Sequence, residues 1–190
     1  DHLWIVLTVS SYLKETGKME LLDEVIPFYE AGKKRADREK GTVLEHLKRS
    51  LNFTRTHLGK NKLPLLGFAD WNDCMNLPLG AESSFNAGLY AKALLEMMDI
   101  CETLGDTKSV KMYKGWYEDI KKAFNDAAWD GKWWIRWFDK EGNAYGTHKA
   151  KYGKIYCNSQ SWSVMSGIAY GERAVMGMDS LNKLLNTANG

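Results

Sequence analysis

Cysteine is scarce in these 190 residues, with three in all, and so is proline, also with three. Cys74, Cys101 and Cys157 are odd in number and far apart. That argues against a disulfide framework and against a zinc cluster, and it fits a reducing cytoplasm. Charge of one sign is lacking as well. Lys and Arg number 26 against 24 Asp and Glu, a net charge of +2, so nothing points to nucleic acid or to an anionic membrane. No apolar run approaches the roughly 20 residues that span a bilayer, and no secretory leader pattern opens the chain. The expectation is therefore a cytoplasmic protein without nucleic-acid or membrane partners. His2, His46, His57 and His148 show no metal-ligand spacing, so no metal is expected.

What is present is an ordinary globular composition, 44% hydrophobic and 26% charged. Aromatics are the exception, at 12% with eight Trp. Tryptophan commonly walls carbohydrate pockets, but it is also core filler. The chain begins at Asp1 in an apolar helical pattern and stops at Gly190 just after another helix. It reads as one partial domain, residues 1–190, truncated at both ends.

Helical periodicity dominates. Leu3, Val6, Leu7, Val9 and Leu13 recur at three- and four-residue spacing, with Asp1 able to cap the start and Gly17 able to stop the helix. A short helix is expected over 19–30 with Leu21, Leu22, Val25 and Ile26 inward. Residues 31–41 are charged and read as an exposed connector. Thr42 opens a third helix, running to about Leu58, with Leu44, Leu47, Leu51 and Phe53 on its buried side. Further helices are expected over 83–104, 107–128, 160–169 and 177–188. Residues 132–138 have strand composition and precede a turn at 139–143, which predicts a hairpin, and 154–157 has the look of another extended piece. The result is an all-α fold with short β-hairpin insertions. Repeated antiparallel helix pairs suggest an α/α toroid or a solenoid, and the lack of a fixed-period repeat weakens the solenoid.

The segment 60–82 is too long for an idle connector, because structureless loops beyond about 12–15 residues are usually functional. It contains Gly67-Phe68-Ala69-Asp70-Trp71-Asn72-Asp73-Cys74-Met75-Asn76, two carboxylates flanking a Trp-Asn pair. An acid beside a flat aromatic suits sugar cleavage, since the acid moves a proton while the ring stacks on the sugar. Inverting hydrolysis needs two carboxylates, an acid and a base. Phosphorolysis needs one, because phosphate is already an anionic nucleophile. The acid must stay protonated near neutral pH, which requires burial or nearby negative charge, and Asp70 and phosphate are available to supply the latter. Spacing alone leaves a plainer reading open: both Asp residues shape the loop through Asx-turns.

Leu63 to Asn76, with its Asp70-Trp71-Asn72-Asp73 core, resembles the signature of the inverting β-glucoside phosphorylases of glycoside hydrolase family 94, the cellobiose and cellodextrin phosphorylases and their relatives. Asp1-His2-Leu3-Trp4 is similar to that family's Asp-Asp-His-Leu-Trp segment, cut after its first Asp. Glu45-His46, Glu82-Ser83, Asp130-Gly131-Lys132-Trp133-Trp134, Gly153-Lys154-Ile155-Tyr156 and Gln160-Ser161-Trp162 match in order and spacing, so the resemblance covers nearly the whole chain. It implies part of an (α/α)6 barrel, with Asp73 as general acid. Trp71 would line the glucose subsite on the nonreducing side, and Asp1 would hydrogen-bond the same glucose. Asp70 and Gln160 are further candidate substrate-binding residues. Asp73 would protonate the bridging oxygen while phosphate attacks C1 from the opposite face, giving α-glucose 1-phosphate with inversion. In synthesis it would act as base. The partners implied are a β-glucoside oligosaccharide and inorganic phosphate as co-substrate, no cofactor, and a homodimer for a longer parent chain.

Two rivals remain open. An inverting hydrolase on the same barrel needs a base, with Glu82 or Asp130 as candidates, about 6.5–9.5 Å from Asp73. A non-catalytic helical binding module expects Asp73 exposed with no pocket beside it. Trp133, Trp134 and Trp137 would alternate faces on a strand, one face toward sugar or, more simply, both in the core. The family's Arg before its Asp-His-Leu-Trp segment lies upstream of Asp1, and its Lys-Glu-Asn-Gly-Gly and His segment has no counterpart before Gly190. The 190-residue chain alone is therefore expected to be catalytically silent, and release of glucose 1-phosphate from cellobiose by this chain would refute that.

Overall fold

The structure is a computed structural model that describes residues 1–73 and 77–188. Among the described residues are six α-helices: α1 (His2–Thr16), α2 (Val43–Thr56), α3 (Ser84–Thr103), α4 (Thr107–Ala127), α5 (Cys157–Met165) and α6 (Gly171–Leu185). Five short strands accompany them: β1 (Val25–Pro27), β2 (Lys40–Thr42), β3 (Glu82–Ser83), β4 (Trp137–Phe138) and β5 (Ala144–Tyr145). No helix among the described residues is long and apolar enough to cross a membrane.

The helices form two layers. α3 packs against both α1 and α5, and each of these three leans on the helix that follows it, α2, α4 and α6. α3 is buried on every side, through Phe85, Ala87, Leu89, Ala91, Leu94, Met97 and Ile100, as expected of a helix enclosed by neighbours rather than one facing water. Its approach to α5 is close enough that Gly88 has no substitute: a Cβ there would sit 2.9 Å from the backbone carbon of Trp162. α2 and α4 are amphipathic, burying Leu47 and Leu51 in one and Tyr113, Tyr117, Ile120 and Phe124 in the other.

Local chemistry explains four of the helix ends. Gly17 adopts φ 69° and closes α1, its N–H reaching the Leu13 carbonyl. The hydroxyls of Thr42 and Ser83 accept from the N–H groups of Glu45 and Asn86, and the Asp106 carboxylate accepts from Ser109, capping α2, α3 and α4. Asp1 occupies the N-cap position of α1, but its side chain makes no capping bond.

Several boundaries depart from expectation. The expected helix over 19–30 shrinks to a 3-10 turn, Met19–Asp23, after which the chain extends into β1. Pro27 disfavours helix at the preceding residue, and β1 instead pairs antiparallel with β2 inside the expected connector. Val25 is consequently exposed rather than inward. α2 ends two residues early, and Phe53 is exposed, stacked on His57. α5 and α6 begin earlier than their periodicity suggested, and 154–156 forms no strand. The predicted hairpin is present as β4 and β5, extended by β3 into a three-stranded sheet.

α1 and α3 are also joined electrostatically. The Glu96 carboxylate accepts from Ser10 Oγ at 2.5 Å and from Lys14 Nζ at 2.5 Å, and Lys92 lies 2.7 Å from its other oxygen. Burial raises the pKa of Glu96, but the hydrogen bonds from Lys14, Lys92 and Ser10 outweigh it and bring it down to about 2. A depressed carboxylate stabilises the fold above its ordinary pKa, and that contribution fades as pH falls toward the folded value. The cluster is partly open at Lys14, so about 1–2 kcal/mol is expected after screening. In urea unfolding, wild type should lose this amount between about pH 5 and pH 2, while Glu96→Gln should show a flatter acid limb.

Candidate active site

The long loop between α2 and α3 is clamped at its base. Leu66 N–H donates to the Ala81 carbonyl at 2.7 Å and Ser83 N–H to the Pro64 carbonyl at 3.0 Å, and Leu65 pairs with Glu82. Residues 64–66 and 81–83 thus form a small antiparallel ladder beside β4, and the Asp-Trp-Asn-Asp segment projects from it. Glu82 straps a second turn to the same base. It is 2% exposed, and its carboxylate accepts from Asn61 N–H, the Asn61 side-chain amide and Leu63 N–H at 2.9, 2.7 and 3.1 Å. Gly59 makes room for this, because a Cβ there would lie 2.4 Å from Glu82 Cγ.

Asp70 folds the projecting segment back onto the base. One carboxylate oxygen accepts from Arg136 Nη2 at 2.6 Å and from Asn72 N–H at 3.0 Å, and the other accepts from Ser83 Oγ at 2.7 Å. The bond to Asn72 is the Asx-turn that the plainer reading of the sequence allowed. Both side chains of the Asp70–Arg136 pair are 1% exposed. Burial raises the pKa of Asp70, but the Arg136 guanidinium, the Asn72 N–H and the Ser83 hydroxyl outweigh it and hold it below the usual carboxylate range. Ser83 also receives Arg136 Nη1 at 3.3 Å while capping α3. Arg136 lies over the Trp137 ring at 4.8 Å. Its backbone joins the same sheet, donating to Tyr145 and accepting from Ser84.

With Asp70 held inside, Trp71 and Asp73 are presented outside. Asp73 is exposed, and no described residue donates to its carboxylate. Because Arg136 balances the Asp70 charge, Asp70 does not bring uncompensated negative charge beside Asp73. Exposure of Asp73 is also what the binding-module reading expects. Cys74, Met75 and Asn76, the end of the motif, lie outside the described residues.

Trp71 is 67% exposed, yet its ring is backed by Trp4 at 6.2 Å. Trp4 stands edge-on to Trp162 at 5.2 Å, and Trp162 edge-on to Phe85 at 5.7 Å. This aromatic chain joins the first turns of α1 and α3 to α5. Asp1, one turn before Trp4, is exposed at the same end of α1.

Gln160 is turned into the interior. It is fully buried, accepting from Trp134 N–H at 3.0 Å and donating to the Trp134 carbonyl at 2.6 Å and to Ser159 Oγ. Asp70 and Gln160 therefore both spend their polar atoms inside the protein, and any effect on a ligand would pass through what they hold. Trp133, Trp134 and Trp137 are all buried, so neither face of that segment is open. The two carboxylates suggested as a hydrolytic base are engaged as well. Glu82 is the strap described above, and Asp130 accepts from the backbone N–H groups of Lys132, Trp133 and His148.

The sequence reading missed Arg136, although a signal existed. A lone arginine in Trp133-Trp134-Ile135-Arg136-Trp137-Phe138 must either point to water or find a carboxylate. Removing one partner strands the other in the interior, which costs about 3–5 kcal/mol. Asp70→Ala should lower stability by about that amount in chemical denaturation, and Asp70→Ala with Arg136→Met should recover part of the loss. The contribution is present above the ordinary carboxylate pKa and declines as pH falls below it.

Residues 1–190 match the family described as "Glycosyl hydrolase 94 superfamily, catalytic domain". Among curated proteins, the chain is 33% identical to an N,N'-diacetylchitobiose phosphorylase of Vibrio proteolyticus over 100% of its own length and 23% of the relative's. It is 34% identical to a solabiose phosphorylase of Paenibacillus borealis, covering 99% of this chain and 24% of that protein. It therefore spans about a quarter of the length of these relatives. Among solved structures, a GH78-family rhamnosidase of Bacillus sp. GL1 superimposes with a TM-score of 0.69 at 16% identity, over 94% of this chain and 17% of the other, a likeness of fold alone. The match along its whole length makes this chain a member of the glycosyl hydrolase 94 superfamily, within the catalytic domain.

Proposed function

We propose that this chain carries the general acid and part of the sugar subsite of an inverting β-glycoside phosphorylase. Asp73 is the proton donor. Trp71 is the wall against which a sugar ring stacks, and Asp1 is a hydrogen-bonding partner for its hydroxyls. The observation that carries this reading is the division of labour in the Asp-Trp-Asn-Asp loop. Asp70 is buried on Arg136 and Ser83, while Asp73 and Trp71 remain exposed on the segment so anchored. A loop that served only as a connector would not need an interior ion pair to hold an exposed acid beside a braced tryptophan.

The chemistry is phosphorolysis. Asp73 protonates the bridging oxygen, the glycosidic C1–O bond breaks, and a phosphate oxygen forms the new bond to C1 from the opposite face. The products are α-glucose 1-phosphate and the released sugar, and the reverse reaction uses Asp73 as base. Phosphate needs no activating carboxylate. That agrees with the engagement of Glu82 and Asp130 in backbone and amide contacts. The relatives named for chitobiose and solabiose favour a disaccharide-sized substrate. Cellobiose or a short cellodextrin is the proposed one. The alternation of α1, α3 and α5 with α2, α4 and α6 supports reading them as part of an (α/α)6 barrel, and the phosphate pocket is proposed among the other helices of such a barrel.

In the intact protein, Asp73→Asn should lower phosphate-dependent release of glucose 1-phosphate from cellobiose by about 10²–10⁴-fold, with the circular dichroism spectrum unchanged. An unaltered rate would remove Asp73 from the acid role. Cleavage that proceeds equally well without phosphate would replace the phosphorylase reading with hydrolysis.

A further inference from the structure

A cavity of about 740 Å³ lies away from the Asp-Trp-Asn-Asp loop, between the C-terminal end of α2, the second half of α4 and the Gly59–Leu63 turn. Its wall carries Arg55, Lys60, Lys62 and Lys122 against two acids, Asp119 and Asp126. The acids are already matched, Asp119 to Arg55 at 2.8 Å and Asp126 to Lys122 at 2.5 Å. Lys60 and Lys62 have no acidic partner among the described residues, so the cavity keeps two uncompensated positive charges on one short turn.

Two further features mark the wall. Lys62 is the one non-glycine residue at positive φ among the described residues, at φ 60°. That conformation is strained for a residue that carries a side chain. The neighbouring contacts impose it: Lys62 N–H donates to the Gly59 carbonyl, Gly59 N–H to the Leu63 carbonyl, and Glu82 grips Asn61 and Leu63 on either side. The second feature is Tyr90, 1% exposed and on the same wall, whose hydroxyl has no hydrogen-bond partner among the described residues. A buried hydroxyl without a partner has lost its hydration with nothing in return. Burial pushes its pKa up, so it remains a neutral O–H donor.

We propose that this cavity is a second binding site, distinct from the Asp73 loop, for a sugar phosphate. The phosphate monoester sits against Lys60 and Lys62, and the sugar lies along the apolar wall formed by Leu58, Ile120 and Ala123. Lysine ammonium groups serve as point-charge partners for phosphate. The volume falls within the range of about 300–1,000 Å³ typical of small-molecule pockets, which suits a phosphorylated monosaccharide better than a bare phosphate ion. The turn that holds both lysines is strapped by Glu82, the residue before Ser83. The site and the Asp-Trp-Asn-Asp loop therefore share the same clamped base. The proposal does not depend on the role of Asp73.

The test is calorimetric titration of the intact protein with glucose 6-phosphate and, separately, with inorganic phosphate, in wild type and in a Lys60→Ala, Lys62→Gly double variant. Glycine at position 62 relieves the positive-φ strain, so thermal stability should hold or rise, and a melting curve checks it. Wild type should bind glucose 6-phosphate more tightly than inorganic phosphate, and the variant should bind it at least about tenfold more weakly. No binding to wild type at millimolar concentration would overturn the proposal. So would equal affinity of wild type and variant, or inorganic phosphate binding as tightly as the sugar phosphate.

Discussion

The guanidinium of Arg136 is buried, and the carboxylate of Asp70 is what makes that tolerable. Two charges at 1% exposure have surrendered nearly all their hydration. The pair recovers it through a 2.6 Å contact, the Ser83 hydroxyl and the Asn72 N–H. The pair connects three pieces of chain remote in sequence: the Asp-Trp-Asn-Asp loop, the N-cap of α3 and the β4–β5 hairpin. Each piece is short and weakly structured alone. Strands of two or three residues have little independent stability, and residues 67–73 of the loop form neither helix nor strand. What gives them one geometry is a charge pair that has no good alternative partner in the interior.

The helical scaffold fixes where that cluster sits. α3 is enclosed by α1, α4 and α5, and its first turn carries Ser83, Ser84 and Phe85 to the clamped base of the loop. Close packing at Gly88 brings α5 against it, which places Trp162 within reach of both Phe85 and Trp4. Trp71 then rests on a ring whose own position is set by two helices. Glu96 performs the same tying function farther along α3, joining it to α1 through Ser10 and Lys14. The polar contacts inside this protein thus specify how elements meet, while the apolar faces supply the driving force for their meeting.

Much of the scaffold was legible in the sequence because helix periodicity, capping residues and glycine stops are local. α1, α2, α3 and α4 follow directly from apolar spacing with Thr42, Ser83, Asp106 and Gly17 at their ends. The expected second helix failed where Pro27 and the pairing of β1 with β2 overrode a short apolar run. Phe53 was read as core because its spacing fits, but it stacks on His57 in solvent instead. At the site, the motif singled out Asp70, Trp71 and Asp73, and an Asx-turn at Asp70 was among its readings. The exposure of Asp73 and the inward partners of Asp70, Glu82 and Gln160 were not legible, since those partners lie 13 to 66 positions away.

The sequence by itself determined the helical class, the family resemblance and the placing of two aspartates and a tryptophan in the long loop. All of these are carried by residue type and short-range spacing. Tertiary structure alone decided which of the two aspartates faces inward, because that depends on Arg136, a residue 66 positions from Asp70. It likewise decided that Trp4 braces Trp71 and that Lys60 and Lys62 share a cavity with the unpartnered Tyr90 hydroxyl. Burial and charge pairing are properties of neighbours in space, and a linear chain records them only as residues waiting for a partner.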